Sequence, residues 1–393
     1  MTPSARIQAA IEILDQVIAA AIVEGAPADR IISDYFRQRR YAGSKDRRAV
    51  REWVYRAIRA CGPVPQSGRA AMLLLARSEP SILPLFDGTQ HGPAPVETDE
   101  NIAESGVAPD WLVERLAQSG ISGPAVEALL DRAPLDIRVN TIKYPTGVPD
   151  MPENGTPLGL PRTIRFPTGT SVEQWDAYQQ GAIEVQDYGS QMACSSVAVQ
   201  PDETVIDLCA GAGGKTLALA AAMNNQGTLI ASDTNRARLS RLMPRAKRAG
   251  ASMIETVLLD PQKDLQALAP WLAQADAVLV DAPCSGTGTW RRNPEARWRL
   301  TPELVRKFSE AQTCLLGLAA KLVRPGGRIV YVTCSLLDEE GRNVIDRFLS
   351  DYPDWQATPP CLPAGKKHGQ GIRLNPSDDE TDGFFIACLT SPC

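Results

Sequence analysis

Two cysteines in this chain stand at positions suited to chemistry. Asp281-Ala282-Pro283-Cys284-Ser285-Gly286 follows the apolar run Ala277 to Val280, and Thr333-Cys334-Ser335 follows Arg328 to Val332. Both runs read as buried parallel strands. Each cysteine therefore sits just past the carboxyl end of a strand, where parallel sheets bind their ligands. Free cysteine usually behaves as a small buried hydrophobe, and that reading suits Cys194, Cys314 and Cys388. Around Cys284 and Cys334 the flanking residues are proline, serine, threonine and glycine, which argues for reactive thiols. If the two strands are neighbours, two thiols and the Asp281 carboxylate face one cleft.

A second stretch supplies a small-molecule corner. Thr204 to Leu208 reads as another buried strand, Cys209-Ala210-Gly211-Ala212-Gly213-Gly214-Lys215-Thr216 as a glycine-rich turn, and the residues to about Met223 as a helix. Small residues let a ligand approach the backbone, and the N–H groups of the first helical turn face it. The corner is a near miss for two nucleotide motifs. Gly214-Lys215-Thr216 ends a P-loop correctly, but Cys209 stands where its first glycine belongs. A dinucleotide fingerprint starts well at Gly211 and Gly213, then meets Thr216 in place of its third glycine. S-adenosylmethionine (AdoMet) asks only for a close-approach loop and an acid for its ribose, which Asp233 provides at the end of the next strand. Strand ends are expected at Leu208, Asp233, Asp260, Asp281 and Cys334, with Phe384 to Leu389 as a closing strand. Any single carboxylate in that series also suits a helix cap.

Thiols, carboxylate and AdoMet together point to a difficult methyl acceptor. Carbon 5 of a pyrimidine is a poor nucleophile. A thiolate that adds at carbon 6 makes the ring enamine-like, and carbon 5 can then attack the methyl group. An acid at ring nitrogen 3 stabilises the electron-rich ring, after which the carbon 5 proton and the thiol must leave. Methylation of an amino nitrogen needs no such covalent help, and its enzymes usually carry an aromatic residue after the proline where this chain has Cys284. No histidine base is evident beside Cys334, so the sulfonium charge and nearby backbone N–H groups are expected to stabilise its thiolate.

The elements that must position these groups fall into three expected domains. Residues 1–135 read as helical, with Ile7, Ile11, Leu14, Ile18 and Ile22 on one face of a first helix that Glu12, Asp15 and Glu24 interrupt. Pro27 to Phe36 and Lys45 to Arg59 read as further helices, with Pro27 at a first helical position, and another helix starts at Pro109-Asp110. Residues 136–190 open with the strand Asp136 to Asn140 and form a small α+β linking unit. Residues 191–393 alternate helices and strands, the pattern of an α/β, doubly wound, mostly parallel sheet.

Composition excludes some classes and leaves others open. Net charge is −5, so no global basic field advertises nucleic acid. Arginine and lysine nevertheless gather in three groups, Arg37 to Arg51, Arg236 to Arg248, and Arg291 to Lys307. Each could be a solvated helix face; three in an acidic chain favour local phosphate contact. The nine cysteines contain no C-x-x-C pair and only two histidines are present, which disfavours a zinc site. An odd cysteine count without a signal peptide or long apolar run points to reduced thiols in a cytoplasmic protein with no membrane association, expected as a monomer.

The motifs jointly resemble those of the RsmB/Sun/NOP family of RNA cytosine-5 methyltransferases. The likeness covers Asp136 to Leu389 and includes Arg138-Val139-Asn140, Gln186-Asp187, Arg373-Leu374-Asn375-Pro376 and Asp382-Gly383-Phe384-Phe385. It implies a class I AdoMet-dependent methyltransferase with Cys334 as nucleophile, Cys284 assisting product release and Asp281 contacting base and cofactor. Cys209, Ala210, Gly211, Ala212, Gly213, Gly214 and Lys215 would cradle the methionine end, Asp233 the ribose and Asp260 the adenine. The family loop usually reads C-A-A-P-G-G-K-T; Gly211 and Ala212 replace its second alanine and its proline here, leaving a more flexible loop. The helical region around Tyr41 to Arg48 is similar to the NusB-like RNA-binding domain of bacterial members, which implies a cytosine in 16S ribosomal RNA as substrate. RNA contacts are expected from Arg138, Asn140, Arg238, Arg291 and Arg292. Alternatives are a transfer RNA cytosine-5 methyltransferase, a catalytically silent RNA-binding or ribosome assembly factor, a P-loop hydrolase disfavoured by Cys209, and a DNA methyltransferase. In the last, Cys284 would be the nucleophile and Cys334 would have no role. The target nucleotide, its RNA context and the state of the substrate particle are not legible.

Overall fold

The computed structural model describes residues 1–23, 25–260 and 263–393. Glu24, one of the acids expected to interrupt the first helix, lies outside the described residues. The chain forms two compact units. One comprises Met1–Asp131 and Thr289–Thr301, the other Arg132–Gly288 and Pro302–Cys393.

The first unit is helical. Its opening helix, Pro3–Ile22, is capped by Thr2, whose hydroxyl accepts from the Ala5 N–H. Ile7, Ile11, Leu14 and Ile18 are buried as their period requires, whereas Ile22, at the helix end, is 72 % exposed. Ala28–Gln38 and Ser44–Ala60 follow, with Pro27 at the cap position just outside its helix. Gly68–Ser78 adds a nearly all-buried helix that packs so closely on Pro3–Ile22 that a side chain at Gly68 would strike the Ile11 carbonyl. Thr289–Thr301 belongs to this unit, although sequence analysis assigned it to the sheet domain. Arg297 is fully buried there and donates to the carbonyls of Ile58 and Cys61, both at 2.6 Å. Trp298 Nε1 donates to Gly62 O at 3.1 Å, and Glu295 accepts from the Ala28 N–H at 2.9 Å. A break read from local composition could not place a segment that leaves its own sheet to fill another core.

The second unit holds two sheets. Leu135–Val139 (β1), Thr156–Pro157 (β2), Thr163–Phe166 (β3) and Ile183–Val185 (β4) form an antiparallel sheet in the order β2-β3-β1-β4. The expected linking domain is thus this small sheet, and it clusters with the large one in a single unit. The large sheet contains Thr204–Asp207 (β5), Thr228–Asp233 (β6), Ile254–Leu258 (β7), Ala275–Asp281 (β8) and Val323–Thr333 (β9). It continues with Gln356–Ala357 (β10), Lys366–His368 (β11), Gly371–Leu374 (β12) and Phe384–Thr390 (β13). The order is β11-β12-β13-β9-β8-β5-β6-β7, with β10 on β13. From β9 to β7 neighbouring strands are parallel, and β13 runs antiparallel to β9.

Alternation along the strands shows that both faces are covered. Val205, Leu229, Leu279 and Val330 pack in a cluster with helices Tyr188–Ser195 and Gly214–Ala222. Ile206, Ile230, Val278 and Ile329 pack in another with helices Pro302–Leu322 and Arg342–Asp351. This is the doubly wound α/β arrangement that the strand–helix alternation predicts. The register Asp281↔Val332 brings the ends of β8 and β9 level, and with them the two cysteine loops.

Candidate active site

The loop after β5 is shaped by two left-handed glycines, Gly211 at φ 56° and Gly213 at φ 85°, conformations that L side chains resist. It is tied to the end of β6 by Ala210 N–H to Ser232 O at 2.8 Å and by Gly211 N–H to Asp233 Oδ2 at 2.7 Å. Asp233 also accepts from the Asn235 N–H at 2.6 Å, so the acid expected at the ribose is fixed by backbone on both sides. Thr216 donates to Asp207 at 2.6 Å. Asp207 is fully buried at the end of β5, and burial pushes its carboxyl up to about 7.

These strand ends line a cavity of 860 Å³ that contains Cys209, Asp233, Asp281, Cys284 and Cys334, walled opposite by Leu315 of helix Pro302–Leu322. The volume falls within the roughly 300–1,000 Å³ of small-molecule sites. Lys215 Nζ meets Asp281 Oδ2 at 2.6 Å. Burial works against the lysine's charge, but the Asp281 carboxylate outweighs it and holds the ammonium above its ordinary range. The two sulfurs, Cys284 Sγ and Cys334 Sγ, lie 3.3 Å apart. The hydrogen bond to Cys334, reinforced by burial, raises the Cys284 thiol well above its usual pKa.

The expected adenine acid sits differently. Asp260 is 69 % exposed, pairs with Lys263 at 3.6 Å and does not line the cavity. Asp264 lines it instead, with its carboxyl raised by burial. Asp260 is expected at the site because it closely follows a strand, whereas the acid that lines the cavity lies four residues further along the chain.

Most expected RNA contacts are used internally. Asn140 is buried, and its Nδ2 donates to the carbonyls of Gly181 and Ala249, both at 2.8 Å. Arg138 Nε donates to Gln186 Oε1 at 3.0 Å, and burial lowers its guanidinium pKa. Arg291 is 6 % exposed inside the helical unit, and Arg292 is half-buried. Arg238 is exposed and lines the cofactor-sized cavity, where its guanidinium fills the room left by the missing side chain at Gly211. A Cβ at 211 would only displace the tip of that flexible side chain; the φ of 56° is what favours glycine there.

Residues 195–390 match the family described as 16S rRNA methyltransferase RsmB/F. The ribosomal RNA small subunit methyltransferase B of Xanthomonas campestris pv. campestris is 33 % identical over 297 residues, 73 % of this chain and 67 % of the relative. The chain belongs to this family. The probable ribosomal RNA small subunit methyltransferase B of Synechocystis sp. is 33 % identical over 296 residues, covering 72 % of this chain and 66 % of that protein. The matches thus span about two thirds of the relatives' length. Among solved structures, PH0851 aligns over 98 % of both chains with a TM-score of 0.73 and 25 % identity. A methyltransferase homolog protein from Pyrococcus horikoshii aligns over 72 % of this chain and 99 % of its own, with a TM-score of 0.57 and 25 % identity.

Membership makes the large sheet a class I AdoMet methyltransferase fold preceded by a helical, NusB-like region, with AdoMet as the cofactor. The residues present fit that group. Cys209 at the start of the two-glycine loop, the backbone-fixed Asp233 and Asp281 line one cavity of suitable size. Among the described residues, no cluster of three or more histidine, cysteine or acidic side chains could hold a metal, and no helix is long and apolar enough to cross a membrane.

One residue of the site escaped sequence reasoning. Glu340 is fully buried behind the two thiols. The signal was present, since it lies six residues after Cys334, but Asp338-Glu339-Glu340 reads as a solvated acidic run.

Proposed function

We propose that this protein methylates carbon 5 of a cytosine in RNA, with 16S ribosomal RNA as its substrate, through a covalent bond between Cys334 and the base. The observation that carries the reading is the 3.3 Å approach of Cys284 and Cys334 at the mouth of an AdoMet-sized cavity lined by Asp281. Neither amino-nitrogen methylation nor a silent binding factor has a use for that pair. The names of the relatives, which are ribosomal RNA small subunit methyltransferases, support the substrate.

Bound in the cleft, AdoMet supplies an electrophilic methyl group on a sulfonium. Cys334 thiolate forms a bond to carbon 6, and the ring electrons pass to carbon 5, which takes the methyl. Asp281, as the acid, gives a proton to ring nitrogen 3 as negative charge develops there and takes it back once carbon 5 has attacked the methyl group, Lys215 holding the carboxylate it becomes in between. The carbon 5 proton then leaves, the carbon 5–carbon 6 double bond re-forms and the bond to sulfur breaks. Cys284 takes that proton. Its thiol is raised first by its hydrogen bond to Cys334. Once the Cys334 sulfur is bonded to carbon that largest cause is gone, although burial still raises the thiol.

The test is a denaturing gel of wild type, Cys284→Ala and Cys334→Ala after incubation with AdoMet and total RNA that includes 16S ribosomal RNA. An RNA-linked band in Cys284→Ala alone supports the assignment, and sequencing the trapped RNA names the target. A band in Cys334→Ala instead reverses the two roles. No band in any sample rejects the covalent mechanism.

A further inference from the structure

Behind the thiol pair lies one buried carboxylate that addresses both cysteine loops. Glu340 accepts from the Ser285 N–H at 2.8 Å, from the Ser285 hydroxyl, and from the Ser335 hydroxyl at 2.6 Å. Ser285 directly follows Cys284, and Ser335 directly follows Cys334. Gln312 Nε2 donates both to Glu340 Oε1 at 3.2 Å and to the carbonyl of Pro283 at 2.9 Å, so Cys284 is held from either side. Ser285 and Ser335 also approach each other at 3.1 Å, and Thr287 Oγ1 accepts from the Leu336 N–H at 2.8 Å. Glu340 is fixed in turn: the Tyr331 hydroxyl donates to its main-chain carbonyl at 2.7 Å.

We propose that Glu340 is the positioning residue that sets the two thiols at working distance, by clamping the residue after each cysteine from one carboxylate. Burying a carboxylate is unfavourable unless its partners compensate for the lost water, and an apolar side chain could fill the same volume. The donors converge on the two loops that carry the sulfurs, which is where registration matters. On the reading given above, addition and proton removal occur at neighbouring ring carbons, so the sulfurs must be held relative to each other as well as to the cofactor. The inference rests on that reading for its purpose, but its geometry can be tested without RNA.

Phenylarsine oxide reports the geometry: it condenses with two adjacent thiols, forming two arsenic–sulfur bonds and releasing water. Peptide mapping after alkylation shows which cysteines it has protected. Wild type should protect Cys284 and Cys334 together. Glu340→Ala should lose joint protection by a factor on the order of ten to a hundred, because small misplacements of reacting groups have effects of that size. Glu340→Gln, with the same reach and one acceptor for the Ser285 N–H, should restore most of it. With RNA and AdoMet, Glu340→Ala should accumulate the covalent band as Cys284→Ala does, while its Kd for AdoMet stays at the wild-type value. Wild-type protection and turnover in Glu340→Ala overturn the proposal. If Glu340→Ala does not fold, the double variant Ser285→Ala/Ser335→Ala removes the same clamp, and unchanged protection there overturns it equally. Lost protection with no band in any protein, wild type included, supports the clamp and rejects the covalent mechanism.

Discussion

From Asp281 to Gly288 the chain holds a carboxylate and a thiol at a cleft; from Thr289 to Thr301, the very next residues, it turns its polar groups onto backbone in the helical unit. Both stretches are polar and charged. In the first, Asp281 and Cys284 stay half-buried, with Lys215 and Cys334 as partners. In the second, Arg297 sits among carbonyls, and burial pulls its guanidinium down to about 9. Arg299 likewise donates to the carbonyls of Gly25 and Ala26, at 2.7 and 2.8 Å. A guanidinium has five donors and no acceptor, so it serves unsatisfied helix-end carbonyls as readily as phosphate. What it does is decided by which acceptors surround it.

The contrast can be broken most directly at its two extremes. Cys334→Ala should lower methyl transfer by a factor on the order of 10³ or more, since no other group replaces a nucleophile; single-turnover incorporation of labelled methyl measures it. Arg297→Ala should instead cost about 3 kcal/mol of stability by leaving buried carbonyls unpaired, with AdoMet affinity unchanged. A denaturant midpoint equal to wild type would show that Arg297 is not structural.

The acids sharpen the comparison within the cleft. Asp233→Ala should weaken AdoMet binding roughly ten- to a hundredfold, the loss of charge-assisted hydrogen bonds, as read by calorimetry. Asp260→Ala should change it by less than about threefold, because an exposed ion pair contributes little. Equal losses in the two variants would restore Asp260 to the site. Asp207 predicts a pH effect. Its folded pKa of about 7 exceeds the usual carboxylate value of 3.8, so between those values the folded state binds more proton than the unfolded. Stability is then greatest at acid pH and falls as pH rises through 7, by up to about 1.4 kcal/mol per unit. Asp207→Asn should flatten the change in melting temperature between acid and alkaline buffers; an unchanged slope rejects that account.

The smallest effect concerns RNA. Arg291 cannot report phosphate contact, since a charge change there perturbs the buried helical unit. Arg236 and Arg241 are exposed, and reversing both to glutamate should weaken RNA binding several-fold and make it less salt-dependent. Binding that keeps its salt slope would move the RNA path elsewhere.

The strand ends were legible because their constraint is local. A β-branched run, a glycine turn and a helix start are short-range signals, and Asp233, Asp281, Cys284 and Cys334 follow them by one to four residues. The same rule points to Asp260, which is exposed, while Asp264, four residues on, lines the cavity. The burial of Asn140 and Arg291 was not legible because it depends on partners far along the chain, such as Ala249 and the helical unit.

By itself the sequence determined the alternation of strands and helices, the cofactor loop and the identities of the two thiols. Each of these rests on backbone sterics and hydrophobic period within a few residues. Tertiary structure alone decided that Cys284 and Cys334, fifty positions apart, meet at 3.3 Å, and that one carboxylate at Glu340 ties their loops together. It also decided which arginines face solvent. Strand register and side-chain burial are set by long-range packing, and no local pattern encodes them.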